Sequence, residues 1–403
     1  MRDLTIFGKE IIDENSIKQI KNCYGPNDIA VLTADAHYGY AHPIGGAVAY
    51  KNHISVSGVG FDIACGNKAV KTNIKASDID INKVMTEVFR RISFGIGRIN
   101  NEPVDHSVFD AIAKANFKPQ RKLLSLAKGQ LGTVGSGNHY VDIFKDVQDN
   151  VWIGVHFGSR GFGHKTATGF IAISQGLSFE DKAKEGSMDS KPILFDVTTA
   201  AYDDYFEAMT LAGEYAYAGR DMVVQKVLDI LGAQSVFEVH NHHNFAWKER
   251  HFGEEYMVVR KGCTPCFPGQ HGFIGSTMAD KSVIIEGIDS EISRSSLYST
   301  VHGAGRIMSR TQAAGKKKWI RDEKGNKTTK TISAGLVNFD KVKLEMKARH
   351  IELRGAGADE APECYKKLTE VLSYHEGTLK ILHELTPIGV AMAGSDTYDP
   401  YKD

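Results

Sequence analysis

Histidines placed where a β-prone run gives way to a Gly/Asn-rich loop constrain this chain more than any other feature. They occur in GSGNHYVDI, VHFGSRGFGH and VHNHHNF, which lie far apart in sequence. In such a loop an imidazole can reach a ligand while glycine lets backbone amides approach an anion. A fourth segment, GVGFDIACG, holds Asp62 and Cys65 three residues apart between glycines. A carboxylate and a thiolate in a tight turn can converge on one cation, and a thiolate can bridge two. Any one of these histidines alone reads as a hydrogen-bonded loop or core residue. Together with Asp62 and Cys65 they predict a metal centre, so the fold must return several distant segments to one place.

The order of elements follows from periodicity. Between Asp28 and Ala69, short β-prone runs (IAVLT, GAVAY, ISVSGVGFDI) alternate with glycine-rich turns, which predicts strands joined by tight loops. Residues 78 to 130 carry apolar positions at helical spacing, in INKVMTEVFRRI and FKPQRKLLSLAKGQL. Strands are expected again at HYVDIF and VWIGVHF, then a second helical stretch from about Lys165 to Leu231. Further strands are expected at SVFEVHNHHNF, EYMVVRKG and SVIIEGI, with a helical end through LTEVLSYHEGTLKILHEL. Strands and helices come in blocks rather than as a regular βα beat, which predicts an α+β fold instead of a doubly wound sheet. No Pro/Ser-rich linker divides the chain, so one catalytic domain with a helical insertion at about 165–232 is the simplest organisation.

Composition excludes several classes. Lys+Arg and Asp+Glu balance at 49 each, so no global field marks a nucleic-acid or membrane partner. Five cysteines do not make a disulfide framework and suit a reducing, cytoplasmic setting. The N-terminal stretch lacks the apolar core of a signal peptide, and no run approaches the roughly 18 apolar residues of a membrane span. The tract AAGKKKWIRDEKGNKTTK reads as a solvated hairpin or loop, with a phosphate-contacting patch as the alternative.

Other residues point to phosphate chemistry. Ser159 and Arg160 in SRGFGH supply a hydroxyl and a guanidinium fork beside a candidate ligand. VHGAGRIMSR repeats the idea with His302, Arg306 and Arg310, and MVVRKG adds Arg260 and Lys261 at a strand end. His302 opens the glycine loop HGAG, which favours a nucleophile or acid/base over a surface loop histidine. In VHNHHNF, strand alternation puts His240 and His242 on one face and His243 on the other, so all three cannot serve one centre. Alternation leaves open which of them is the ligand. Cys263 and Cys266 form a lone CxxC that reads as small packing residues rather than a redox pair, and Cys23 and Cys364 carry no signal.

The segments DAHYGYAHPIGG, GVGFDIACG, GSGNHYVDI, HFGSRGFGH, HNFAWKERHFGEE, RKG and HGAGRIMSR occur in this order and resemble the RtcB-type RNA ligases from about Asp35 to Gly394. That resemblance implies two Mn(II) ions held by Asp62, a bridging Cys65, His139, His156 and His243. It implies that His302 is the nucleophile that takes GMP from GTP. It places Asn138 and Asn244 in the nucleotide pocket, with Ser276 and Thr277 of the IGSTMA loop and Gly303, Ala304, Gly305 and Arg306 of the HGAGR loop. Arg160, Lys261 and Arg306 match cations that handle phosphates. Asp142 stands where the family has a glutamate that orients the nucleophilic histidine. The activity implied is joining of RNA 3′-phosphate or 2′,3′-cyclic phosphate ends to 5′-hydroxyl ends, in tRNA splicing or RNA repair. The expected form is a monomer, with an archease-type activator as a protein partner and no membrane. The alternatives are a guanylyl-capping enzyme or phosphoesterase without ligation, and a non-catalytic RNA-binding paralogue. Three departures from the pattern concern the nucleotide pocket: IGSTMA where the family has PGSMG, Asp142 for glutamate, and AMAG followed by SDTYDPYKD where the family ends in Lys-Gly, with Lys402 as a candidate substitute.

Overall fold

Alternation of large apolar side chains along successive strands builds the central sheet. On strand Asn150–Phe157, Trp152 faces one side while Ile153, Val155 and Phe157 face the other. Strand Tyr140–Lys145 repeats this, with Phe144 on the Trp152 side and Val141 and Ile143 opposite. The computed structural model, which describes residues 4–184, 186–321 and 327–395, places these strands in an eight-stranded sheet. Its order runs from His271–Ile274 through Ser282–Gly287, Leu379–Gly394, Tyr140–Lys145, Asn150–Phe157 and Gly66–Lys75 to Ser235–His242, with Glu352–Ala356 beside the long Leu379–Gly394 strand. The two ends of this order nearly meet. Asn241 Nδ2 donates to the His271 carbonyl at 3.1 Å and Asn67 Nδ2 to the Phe273 carbonyl at 3.0 Å, so side chains close what the backbone ladder leaves open. Trp152, Phe144, Phe273, Ile284 and Val239 fill the inside.

Helices cover the outer face. Ile81–Arg91 buries Val84, Met85 and Val88 there, and Asp80 caps it by accepting from the Lys83 amide. Helix Ala200–Leu231, 32 residues long, reaches both main cores: Tyr205, Met209 and Tyr215 enter one, and Val223, Val224 and Val227 enter the core behind the sheet. A second sheet of five strands, in the order Leu4–Ile6, Ile29–His37, Ile44–Tyr50, Glu254–Lys261, Asn244–His251, supplies the opposite wall of the cleft.

The blocks of strand and helix bear out the α+β expectation. Local differences have identifiable causes. ISVSGVGFDI is a strand only as His53–Ser55, because the Ser55 hydroxyl accepts from the Gly58 amide and starts the short helix Val56–Val59. The final helix ends at Ser373, and LKILHEL, expected to be helical, begins the strand Leu379–Gly394 and pairs antiparallel with Ser282–Gly287. Helical spacing of its leucines was outweighed by that pairing. A short strand, Leu194–Asp196, interrupts the second helical stretch and pairs with His53–Ser55. The basic tract contributes the antiparallel strands Lys316–Arg321 and Lys327–Ser333, a hairpin as expected. Lys402 lies outside the described residues.

Candidate metal centre and nucleophile site

Cys65 follows a tight turn in which its amide donates to the Asp62 carbonyl at 3.1 Å. Ala64 just before it adopts a left-handed backbone, φ 59°, an uncommon conformation for a residue with a side chain. The strain is held from several sides. Ala64 N donates to the Asn244 carbonyl at 2.7 Å, and the amides of His243 and Asn244 both donate to the Cys65 carbonyl, at 2.8 and 3.2 Å. Gly158 lets the next segment come close: a Cβ there would stand 2.1 Å from Asp62 Oδ1.

Five side chains converge at this point. Cys65 Sγ is 3.3 Å from His156 Nε2 and 3.5 Å from His139 Nε2, and His139 Nε2 is 3.0 Å from Asp62 Oδ2. They form two overlapping triads, Cys65/His156/His243 and Asp62/Cys65/His139, with the ligand atoms of each within 4.8 Å of one another. Cys65 is common to both, which is the arrangement a bridging thiolate requires. His156 Nδ1 lies 3.1 Å from the Asn138 carbonyl, so its N–H points there and Nε2 keeps a lone pair for a cation. Burial pulls His156 and His243 well below the usual imidazole range, which keeps them in the neutral form that ligates. Burial opposes ionisation of Asp62, but the hydrogen bond and charge of His139, with Arg160, outweigh it and hold the carboxyl well below its usual range. Burial and the neighbouring Asp62 push the Cys65 thiol up, and a bound cation is what would deprotonate it.

Within VHNHHNF, the first two histidines share a face, as strand alternation predicts. His240 and His242 face helix Ala200–Leu231, where Arg220 reaches both: Nε donates to His240 Nε2 at 2.8 Å and Nη2 lies 3.0 Å from His242 Nδ1. His243, between the strands Ser235–His242 and Asn244–His251, turns the other way into the cleft.

His302 sits across this cleft, its ring 4.8 Å from that of His243. Its Nδ1 is 2.7 Å from Asp35 Oδ2, and its backbone amide donates to the same oxygen at 3.0 Å. Asp35 in turn accepts from the Thr33 hydroxyl at 2.6 Å. Burial works against the Asp35 charge, yet the His302 contacts hold its pKa down to about 2. With its N–H engaged by Asp35, His302 presents the Nε2 lone pair, the arrangement of a nucleophile held by a carboxylate. Gly305, at φ 76°, makes room for this contact, since a Cβ there would strike the Asp35 carbonyl at 2.1 Å.

A cavity of about 400 Å³ joins the ligand cluster to His302. Asn138, Asp142, Asn244, Ser276, Thr277, Gly303, Ala304, Gly305, Lys261 and Arg306 all line it, so most residues singled out from sequence are gathered here, whereas Arg260 is buried away from it and paired with Glu249. Arg160 stands at the same cluster, with Nη1 3.4 Å from His139 Nδ1. Several of these residues make contacts that differ from expectation. The carboxylate on His302 is Asp35; no described hydrogen bond joins Asp142 to that ring. Burial holds the Asp142 carboxyl well above its usual range, and its Oδ1, the Tyr140 hydroxyl and the Ser276 hydroxyl are buried with no partner among the described residues. Lys261 donates to the carbonyls of Tyr40 at 2.8 Å, His42 at 3.2 Å and Ser57 at 3.4 Å, so its ammonium braces the wall. Arg306 is held by the Tyr365 hydroxyl at 2.9 Å and the Asp359 carbonyl at 2.8 Å. Asn244 bridges the two walls: Nδ2 donates to the Asp62 carbonyl at 3.3 Å and Oδ1 accepts from the Gly262 amide at 2.7 Å.

Sequence reasoning assigned no role to Asp35 or Arg220. Asp35 opens the DAHYGYAHPIGG segment, and the sequence signal there was no more than an acid following the apolar run IAVLTA. Arg220 is an arginine within the apolar helical run AYAGRDMVV, where a charge demands buried partners.

Comparisons with known proteins bear on the chain as a whole. The model of the family described as tRNA-splicing ligase RtcB matches residues 17–393. An "RNA-splicing ligase RtcB1" from Escherichia coli is 31% identical, the match covering 89% of this chain and 88% of the relative. A "tRNA-splicing ligase RtcB" from Archaeoglobus fulgidus is 27% identical, over 95% of this chain and 92% of the relative.

Proposed function

The chain belongs to the RtcB family of tRNA-splicing ligases, and from that premise we propose that it is an RNA ligase dependent on GTP and Mn(II), joining 3′-phosphate or 2′,3′-cyclic phosphate ends to 5′-hydroxyl ends. The observation that carries the reading is the juxtaposition of two ligand triads sharing Cys65 with a histidine held on a buried carboxylate.

The donor set fits a pair of divalent cations: one thiolate, one carboxylate and three imidazoles, of which His156 and His243 are kept neutral by burial. Asp62, Cys65 and His139 would hold one ion, and Cys65, His156 and His243 the other. When bound, such ions neutralise phosphate charge and polarise the phosphorus centre under attack. His302 Nε2 attacks the α-phosphorus of GTP, the bond to the β-phosphate oxygen breaks, and pyrophosphate leaves. Asp35 keeps the Nδ1 proton and balances the positive charge that the ring acquires. A 3′-phosphate oxygen of the RNA, freed where necessary by opening a cyclic phosphate, then takes GMP from His302. Attack by a 5′-hydroxyl on that activated phosphate releases GMP and closes the strand. The unpartnered Asp142, Tyr140 and Ser276 oxygens suit polar contacts to the nucleotide.

The same reading takes 1–403 as one catalytic domain with the helices of 165–232 as an insertion. It expects cytoplasmic action on broken or spliced RNA such as tRNA halves, as a monomer, with an archease-type activator as protein partner. All five cysteines are free and buried, which suits a reducing compartment, and no described helix is long and apolar enough to cross a membrane.

The test is incubation with radiolabelled GTP and Mn(II). A covalent GMP adduct is expected in the wild type and absent in His302→Ala. No adduct with any divalent metal would sink the reading. An adduct without joining of a 3′-phosphate RNA to a 5′-hydroxyl RNA would replace it by guanylyl capping.

A further inference from the structure

Beside the metal cleft lies a second, larger cavity of about 630 Å³, within the size range of small-ligand sites. The two share a wall, since Tyr40 and Phe61 line both. Phe61 immediately precedes the metal-ligand candidate Asp62, so the position of its ring is tied to that of the centre. Three rings run from the cleft into this cavity. Tyr40 and Phe61 are 5.3 Å apart, and Phe61 and His164 are stacked at 5.6 Å and 25°. All three are only partly buried, which leaves aromatic surface open on the cavity side. Tyr40 is fixed at both ends: its carbonyl accepts from Lys261 at 2.8 Å and its hydroxyl from the Gly186 amide at 2.9 Å.

The rest of the lining is apolar beneath and cationic around the rim. Leu123, Ile171 and Phe179 lie beneath, and Lys122, Lys165, Lys182 and Lys184 stand around it with two acids, Glu180 and Asp181. Both acids are engaged: Glu180 pairs with Lys122 at 2.5 Å and Asp181 accepts from the Ser178 amide at 2.9 Å. Lys165, Lys182 and Lys184 are exposed and have no acid partner among the described residues. A row of aromatic faces bordered by unpaired lysines is the chemistry that holds an unstacked nucleotide: the rings take the base and the ammonium groups follow the phosphates. A mainly apolar ligand would leave the lysines without a role. The chain as a whole carries no net charge, so this local surplus sits where a polyanion approaching the cleft would pass.

We propose that this cavity is a base-stacking subsite for RNA, holding one nucleotide next to the end being joined. Its base lies against the Phe61 and His164 row and its phosphates lie along Lys165, Lys182 and Lys184. The inference rests on the RNA-ligase reading and adds to it where the strand leaves the metal cleft. Because the base is read by its face, the site tolerates any sequence but requires an unpaired nucleotide at that position.

The test uses the Mn(II)-loaded full chain with His164→Ala, the double variant Lys182→Glu/Lys184→Glu, and Thr168→Trp, which fills the cavity. Guanylylation with labelled GTP reads the metal centre and His302, and it is expected to stay at the wild-type rate in all three. Fluorescence anisotropy with short single-stranded RNAs, one ending in a 3′-phosphate and one beginning with a 5′-hydroxyl, reads the subsite and shows which strand uses it. One of the two RNAs is expected to bind about tenfold more weakly to His164→Ala, the scale of one lost base stack. In the lysine double variant the dependence of affinity on salt should become shallower. In ligation the loss should fall on KM for RNA with kcat preserved. Affinities for both RNAs within twofold of wild type in all three variants would overturn the inference. Failure of the wild type to form any GMP adduct would instead overturn the ligase reading, and anisotropy would still decide the subsite.

Discussion

Asp35 shows how much one buried carboxylate settles here. It holds His302 through ring and backbone at once, and Thr33 Oγ1 supports it from behind. Its pKa, held down to about 2 by His302 against the opposing effect of burial, makes the contact a stability term with a definite sign. A depressed carboxylate contributes stability that is present above its unfolded value of about 4 and is lost as pH falls through the folded value. The shift corresponds to about 2 kcal/mol at neutral pH. Asp35→Asn should therefore flatten the acid limb of a thermal-stability profile between about pH 4 and pH 2. The same change should slow formation of the GMP adduct, because the ring loses its charged partner; an unaltered adduct rate would remove Asp35 from the mechanism. Cys65 gives a second test at this scale. Cys65→Ala deletes the ligand common to both triads, so bound metal, counted by elemental analysis, should fall below two ions per chain. Retention of two ions would refute the bridge. Of these residues, the candidate metal ligands stood in short segments of distinctive chemistry, with the choice of His243 coming from the family resemblance. Asp35 was not legible, since a single acid at a strand end looks like any other until its partner arrives from residue 302.

At the level of elements, one helix holds two ligand segments together. Arg220, fully buried on Ala200–Leu231, donates through Nη1 to the carbonyls of Ala64 at 3.0 Å and Phe157 at 2.7 Å. Ala64 precedes Cys65, and Phe157 follows His156. Its remaining nitrogens engage His240 and His242, and Lys68 pairs with Asp221 at 2.7 Å alongside. Arg220 is thus placed to hold the two candidate ligand segments in register. Arg220→Met would leave two carbonyls and two imidazoles without their donor, each worth about 1–3 kcal/mol when unsatisfied. The expected result is a lower melting temperature together with a weaker Mn(II) affinity by titration calorimetry. A melting loss with unchanged metal affinity would reduce Arg220 to a packing role. Periodicity found most helices and strands, but it misread LKILHEL, where leucine spacing fits a helix and the backbone pairs along its length with Ser282–Gly287.

For the whole molecule, the candidate ligands come from the Asp62–Cys65 turn, the segment before strand Tyr140–Lys145, the end of strand Asn150–Phe157, and the link between Ser235–His242 and Asn244–His251. Ions bound there tie together segments distant in sequence, so metal binding should be visible as global stability. Free Mn(II) at a hundred times its dissociation constant should add about 2.7 kcal/mol. Differential scanning fluorimetry should register this as a rise in melting temperature that Cys65→Ala abolishes, and no rise in the wild type would argue against metal binding at this cluster. The sequence by itself determined the α+β class, the opposition of His243 to His240 and His242, and the residue types of the centre. Those properties are local, fixed by side-chain alternation and by the chemistry of short segments. Only the tertiary structure decided that Asp35 rather than Asp142 meets His302, that Lys261 braces carbonyls, and that Arg220 clamps two ligand segments. Each of these is a contact between residues that no periodicity relates, and burial alone makes such partners obligatory.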